Sequence, residues 1–110
     1  MIGSQMRSIW IGALVLAGAA SPAAKALEPP AERGLTFVRT HCSSCHAVGQ
    51  IGESPLPIAP PFRVLHLKYP IDDLAEALAE GITTGHPTMP EFQLDPAQIN
   101  DVLSYMKTLR

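Results

Sequence analysis

Cysteine is nearly absent from this sequence of 110 residues: only Cys42 and Cys45 occur, separated by two residues. A bridge between them would close too small a loop to constrain the unfolded chain much, so a disulfide framework does not hold this protein together. Basic residues are few as well, eight lysines and arginines against ten acidic residues, and they form no cluster. That excludes nucleic acid as a partner, because phosphate binding relies on grouped positive charge. No segment reads as a convincing strand, and there is no internal repeat. The one long apolar run, Ile9 to Ala20 (IWIGALVLAGAA), is shorter than the roughly 20 residues a spanning helix requires, which argues against stable insertion in a membrane.

That run instead reads as the core of an export signal. Met1 to Ser8 carries a single basic residue, Arg7, and no acid; Ser21-Pro22 breaks the apolar stretch, and Ala24-Lys25-Ala26 sets small residues at the two positions a signal peptidase inspects. The expected organisation is a signal peptide over residues 1–26, cleaved after Ala26, and one domain over 27–110, which places the domain in the periplasm. Without Arg7 and Lys25 the domain keeps six basic residues against ten acidic ones, a net charge of −4 with histidine neutral. A domain of this size buries only roughly 60–65% of its unfolded surface, so a bound cofactor would help to hold it.

The remaining pattern predicts an all-α domain of three main helices joined by long loops. The first helix is expected from Pro30 or Ala31, where proline suits the first turn, to His41. Gly34 inside it costs about 1 kcal/mol relative to alanine, which predicts a close approach by another backbone. A second helix is expected over Ile71 to Glu80, with Ile71, Leu74, Ala75, Leu78 and Ile82 on one face and Gly81 as a left-handed cap. The third has the clearest start: Asp95 as cap, Pro96 in the first turn and Gln98 completing a capping box. It runs to the C-terminus with Ile99, Val102, Leu103 and Met106 in one stripe. Between the first two helices, Gly49, Gly52, Pro55, Pro57, Pro60 and Pro61 rule out a long regular element and predict an extended loop. A loop of that length in a compact domain usually has a function, and wrapping a flat cofactor would be one.

Cys42-Ser43-Ser44-Cys45-His46 carries the chemistry. Two thiols at this spacing can add to the two vinyl groups of haem, and the next residue offers an imidazole to the iron. Three other readings use the same residue types. A thioredoxin-like pair normally follows a strand, whereas here a helix precedes the motif. Zinc would draw two of His46, His66 and His86 to the cysteines, but those histidines lack paired spacing. A plain disulfide suits an oxidising compartment yet leaves His46 and the small core unexplained.

With these residues in view, the sequence resembles class I cytochromes c, the small mono-haem electron carriers, over nearly all of residues 27–110. The resemblance implies the cytochrome c fold wrapped around one haem c, attached through thioethers to Cys42 and Cys45 with His46 on the iron. In that family a helix with glycine eight residues before the first haem cysteine crosses a C-terminal helix bearing an aromatic residue, and Gly34 and Tyr105 match those positions. One departure is Val38, where the family often has an aromatic residue; here Phe37 is its neighbour, so the crossing is expected to pack differently. Ala59-Pro60-Pro61-Phe62 resembles the family's Gly-Pro-x-Leu segment, which implies that the Pro60 carbonyl orients the His46 imidazole.

The same resemblance points to Met89, within Gly85-His86-Pro87-Thr88-Met89-Pro90-Glu91-Phe92, as the second axial ligand. His86, three residues earlier, is a competitor that would make the site bis-histidine. His41 is expected as a partly exposed helix residue, His66 as a surface-turn residue, and Met106 as a packing residue against the ring edge. Leu74, Leu78, Ile82, Phe92, Leu103 and Met106 are expected to line the haem pocket. His/Met ligation would fill both axial positions and raise the potential relative to bis-His. The implied role is one-electron transfer to or from a dehydrogenase, oxidase or membrane electron-transfer complex, without enzymatic activity. The contrasting readings are a haem enzyme or ligand sensor with a labile sixth position, and the cytochrome subunit of a periplasmic dehydrogenase.

Overall fold

The computed structural model describes residue 3, residues 10–16, residue 18, residues 26–81 and residues 88–109. Most of the N-terminal segment, with the proposed cleavage motif up to Lys25, and the stretch 82–87 containing Ile82 and His86 lie outside the described residues. Among the described residues there is no strand, and no helix is long and apolar enough to cross a membrane. Residues 10–16 are exposed and non-helical, with Trp10 at 93% exposure.

Three α-helices form the framework: α1 (Pro29–His41), α2 (Leu74–Glu80) and α3 (Pro96–Met106). Pro29 and Pro30 occupy the first turn of α1, where the N–H that proline lacks would have no helical partner. The capping box of α3 is complete. The Asp95 carboxylate accepts from the Gln98 backbone N–H at 2.8 Å, and the Gln98 side chain accepts from the Asp95 N–H at 3.1 Å. The helix ends at Met106, short of the C-terminus, and continues as a turn.

Helices α1 and α3 pack directly on each other, and Gly34 is where they meet. A Cβ at Gly34 would overlap the carbonyl oxygen of Asp101 and come within 2.9 Å of the Tyr105 Cβ. Only a bare backbone lets the helices approach this closely, which accounts for a helix-weakening residue in the middle of α1. Beside the contact, the Arg33 guanidinium donates from Nε and Nη2 to the two Asp101 carboxylate oxygens, each at 3.0 Å. Val38 is fully buried at this crossing, while its neighbour Phe37 is only half-buried, packed against the core at the edge of a cavity.

The core gathers around the same contact: Ala31 and Val38 from α1; Val102, Leu103, Tyr105 and Met106 from α3; and Leu109, Phe62 and Ile71 from the flanking segments. Val38 and Ile71 are at most 2% exposed, and burying each such side chain is worth roughly 1.5–3 kcal/mol.

Two departures from the expected layout concern the middle of the chain. The proline-rich stretch ends in a 3₁₀ helix, Phe62–Leu67, which holds His66 half-buried rather than in a surface turn. The expected second helix divides into a 3₁₀ turn, Ile71–Asp73, and α2. Ile71 is pulled into the core while Asp72 reaches out to Lys107 Nζ at 2.5 Å; the tighter turn satisfies both. Gly81 does end α2 with a positive φ of 99°, but its ψ of 125° is not that of a left-handed helical cap. Glycine is needed there on two counts, the positive φ and the Glu91 side chain that lies where a Cβ would stand.

Candidate functional site

The chain turns sharply as α1 ends. Backbone N–H groups of Cys42 and Ser43 both donate to the Val38 carbonyl, and those of Cys45 and His46 to the Cys42 carbonyl. This compact turn places Cys42, Cys45 and His46 on one side of the chain, and all three line a cavity of ≈ 670 Å³. Both cysteines are unpaired thiols. Burial pushes the Cys42 thiol up to about 11, because a thiolate there would lose its hydration.

The loop that follows folds back onto the motif. Leu56 N–H donates to the Cys45 carbonyl at 3.1 Å, Phe62 N–H to the Ala47 carbonyl at 2.9 Å, and Ala47 N–H to the Ser54 hydroxyl at 3.0 Å. These bonds bring Pro60 beside His46, whose Nδ1 lies 2.8 Å from the Pro60 carbonyl oxygen. A carbonyl can only accept, so Nδ1 carries the proton and Nε2 keeps its lone pair. Among the described residues, Nε2 has no protein hydrogen-bond partner. The Phe62 ring rests against the imidazole, centroid to centroid 5.0 Å at 43°.

Tyr105 secures the far side of this loop. Its hydroxyl donates to the Val48 carbonyl, and burial holds the phenol above its usual pKa, keeping it a donor. The Gln50 amide adds a bond to the Thr108 carbonyl at 3.1 Å. The loop carrying Pro60 is thus stitched to α3.

Met89 enters the cavity from the segment between α2 and α3, half-buried, with Thr88, Pro90 and Phe92 in the wall around it. His86 lies outside the described residues. Leu74, Leu78, Phe92 and Met106 line the cavity as expected from the sequence, but Leu103 does not. It is buried in the core, and its neighbour Val102 faces the cavity instead.

Several wall residues went unread in the sequence. Phe62 could have been found from its place in the Ala59-Pro60-Pro61-Phe62 segment. Phe37 and His41 could have been found from their i, i+4 spacing at the end of α1. His41, expected to be partly exposed, is exposed and also borders the cavity.

The residues fit a haem. The cavity falls within the roughly 300–1,000 Å³ typical of cofactor sites and is mostly apolar. Two free thiols stand at the spacing that thioether attachment needs, and an imidazole with a bare Nε2 and a soft thioether make a suitable donor pair for haem iron. Among the described residues no cluster of three or more His, Cys, Asp or Glu could hold a separate metal ion.

An all-α fold with such a motif and cavity defines a c-type haem protein of the small, single-haem class. Residues 31–110 match the family model for cytochrome c, and the chain belongs to the cytochrome c family. It is similar to a cytochrome c-552 of Bradyrhizobium diazoefficiens, 33% identical over 97 residues, spanning 88% of this chain and 90% of that protein. It is also similar to a cytochrome c-553-like protein of Synechocystis sp., 28% identical over 87 residues, which cover 76% of this chain and 73% of that protein. No solved structure matches the chain significantly. Membership in this family makes the protein a haem electron carrier by class.

Proposed function

We propose that this protein is a periplasmic one-electron carrier holding a single haem c through Cys42 and Cys45, with His46 and Met89 as the axial ligands. The observation that carries this reading is convergence on one cavity: two free thiols, an imidazole aligned by a backbone carbonyl, and a thioether. Bound haem supplies a one-electron iron couple, whose potential is higher with a His/Met pair than with two histidines.

The chain's own side chains set the conditions for that couple. The Pro60 carbonyl accepts a hydrogen bond from His46 Nδ1–H, fixing the ring and making Nε2 more electron-donating. Phe62 packs on the same ring and resists its rotation. Leu65, Leu74, Leu78, Val102 and Met106 keep water from the centre of the cavity. With Met89 on the second axial position no small substrate has an open site, which favours a carrier over a haem enzyme or ligand sensor. Residues 1–26 serve as the export signal, cleaved after Ala26. The domain's net charge of −4 suits weak, salt-sensitive docking to a basic patch on a dehydrogenase, oxidase or membrane complex.

Met89→Ala tests the ligand directly. The variant retains covalent haem but loses the thioether-to-iron charge-transfer absorption of the oxidised protein; an unchanged spectrum would remove Met89 from the iron. The reduced wild-type protein resists carbon monoxide at neutral pH, and rapid binding would favour the sensor or enzyme class.

A further inference from the structure

The segment that carries Met89 is held from two sides by different means. Towards α2 it is fastened by polar contacts: Leu94 N–H donates to the Leu78 carbonyl at 2.8 Å, and the Gln93 amide to the Glu80 carbonyl at 3.3 Å. Glu91 adds packing over Gly81, its Cγ 2.8 Å from where a Cβ would stand. Towards α1, the described residues offer no hydrogen bond or ion pair to residues 88–92. The contact there is aromatic. Phe37 and His41, one turn apart at the end of α1, stack with centroids 4.5 Å apart and planes tilted by 41°. The Phe92 ring meets His41 edge-on, 6.1 Å away at 65°. Phe37 packs in turn against the core, so the row of three rings is anchored at its inner end.

We propose that His41 and Phe92 are positioning residues for Met89, their edge-on contact clamping the methionine segment to the end of α1. The inference rests on Met89 as the axial ligand. Phe92 is three residues beyond Met89, and the fixed φ of the intervening Pro90 limits the slack between them. Docking Phe92 therefore restricts how far the thioether can drift. His41 directly precedes Cys42, so the clamp joins the haem-attachment end of the site to its methionine end. Phe37, His41, Met89 and Phe92 all border the one cavity. Releasing the clamp raises the population in which Met89 is off the iron, and a competing ligand binds in proportion to that population.

Imidazole titration of the oxidised holoprotein, followed through the thioether-to-iron absorption, reads this population. His41→Ala and Phe92→Ala keep one haem attached and wild-type helicity, bind imidazole roughly two- to tenfold tighter, and show a weaker charge-transfer band. His41→Phe and Phe92→Tyr, which preserve the ring pair, restore the wild-type titration. If either alanine variant fails to fold, His41→Gln and Phe92→Leu keep bulk without the ring and show the same tightening. Met89→Ala, measured alongside, separates the two claims. Its loss of the band combined with wild-type imidazole binding in the His41 and Phe92 variants overturns the clamp alone, whereas a band that survives Met89→Ala overturns the ligand assignment beneath it.

Discussion

Cys42 shows how strongly position shapes the chemistry of a single residue here. The last turn of α1 and the loop behind it withdraw its thiol from water far enough to push the pKa up to about 11. Since the thiolate is the reactive species, the folded haem-free chain keeps Cys42 in its inert form at neutral pH. Its alkylation by iodoacetamide, scored by mass on the peptide containing it, rises about tenfold per pH unit from pH 7 to near pH 11. A plateau reached already at pH 9 would show that the thiol is not buried as described. His46 is shaped in the opposite sense. The Pro60 carbonyl accepts a hydrogen bond from its Nδ1–H and so leaves the lone pair on Nε2, and a neighbour in the loop thereby decides which ring nitrogen can act as a ligand.

Among the elements, the crossing of α1 and α3 governs the rest. Gly34→Ala places a methyl group against the Asp101 carbonyl, which cannot yield without moving α3. Overpacking of this kind costs about 1–3 kcal/mol, and in a domain of this size each kcal/mol lowers Tm by roughly 4–8 °C. Thermal unfolding of the holoprotein checks this, and an unchanged Tm would mean the helices do not meet at Gly34.

Much of this layer was legible in the sequence. Asp95-Pro96 with Gln98 marks the start of α3, proline marks that of α1, and Gly34 announces a close approach, because each signal is local. The 3₁₀ helix Phe62–Leu67 was not legible, since it depends on Phe62 being buried and its N–H reaching the Ala47 carbonyl, both tertiary events. Nor could periodicity choose between Val102 and Leu103 as the cavity wall. They are adjacent on one stripe and both are buried in the core, yet only Val102 also borders the cavity. The candidate donors Cys42, Cys45, His46 and Met89 stood out by residue type. Phe92 was expected in the cavity wall, whereas Phe37, His41 and Phe62 became wall residues only once the end of α1 and the proline-rich loop were seen to close on the cavity.

At the scale of the whole molecule, charge and enclosure matter most. A net charge of −4 over residues 27–110 is expected to steer encounters with a basic redox partner. Second-order electron-transfer rates therefore fall as ionic strength rises with a basic partner, and rise or stay flat with an acidic one; stopped-flow mixing with two small redox proteins of opposite charge checks both. A fall with the acidic partner would place the docking face on a basic patch. Enclosure comes from the mostly apolar cavity walled by Leu65, Leu74, Leu78, Val102 and Met106, which one haem would fill. The mass of the denatured protein, exported by a host able to attach haem, tests this most directly. The account predicts the polypeptide 27–110 plus one haem, inseparable under denaturing conditions. The bare polypeptide mass from the same host would contradict it.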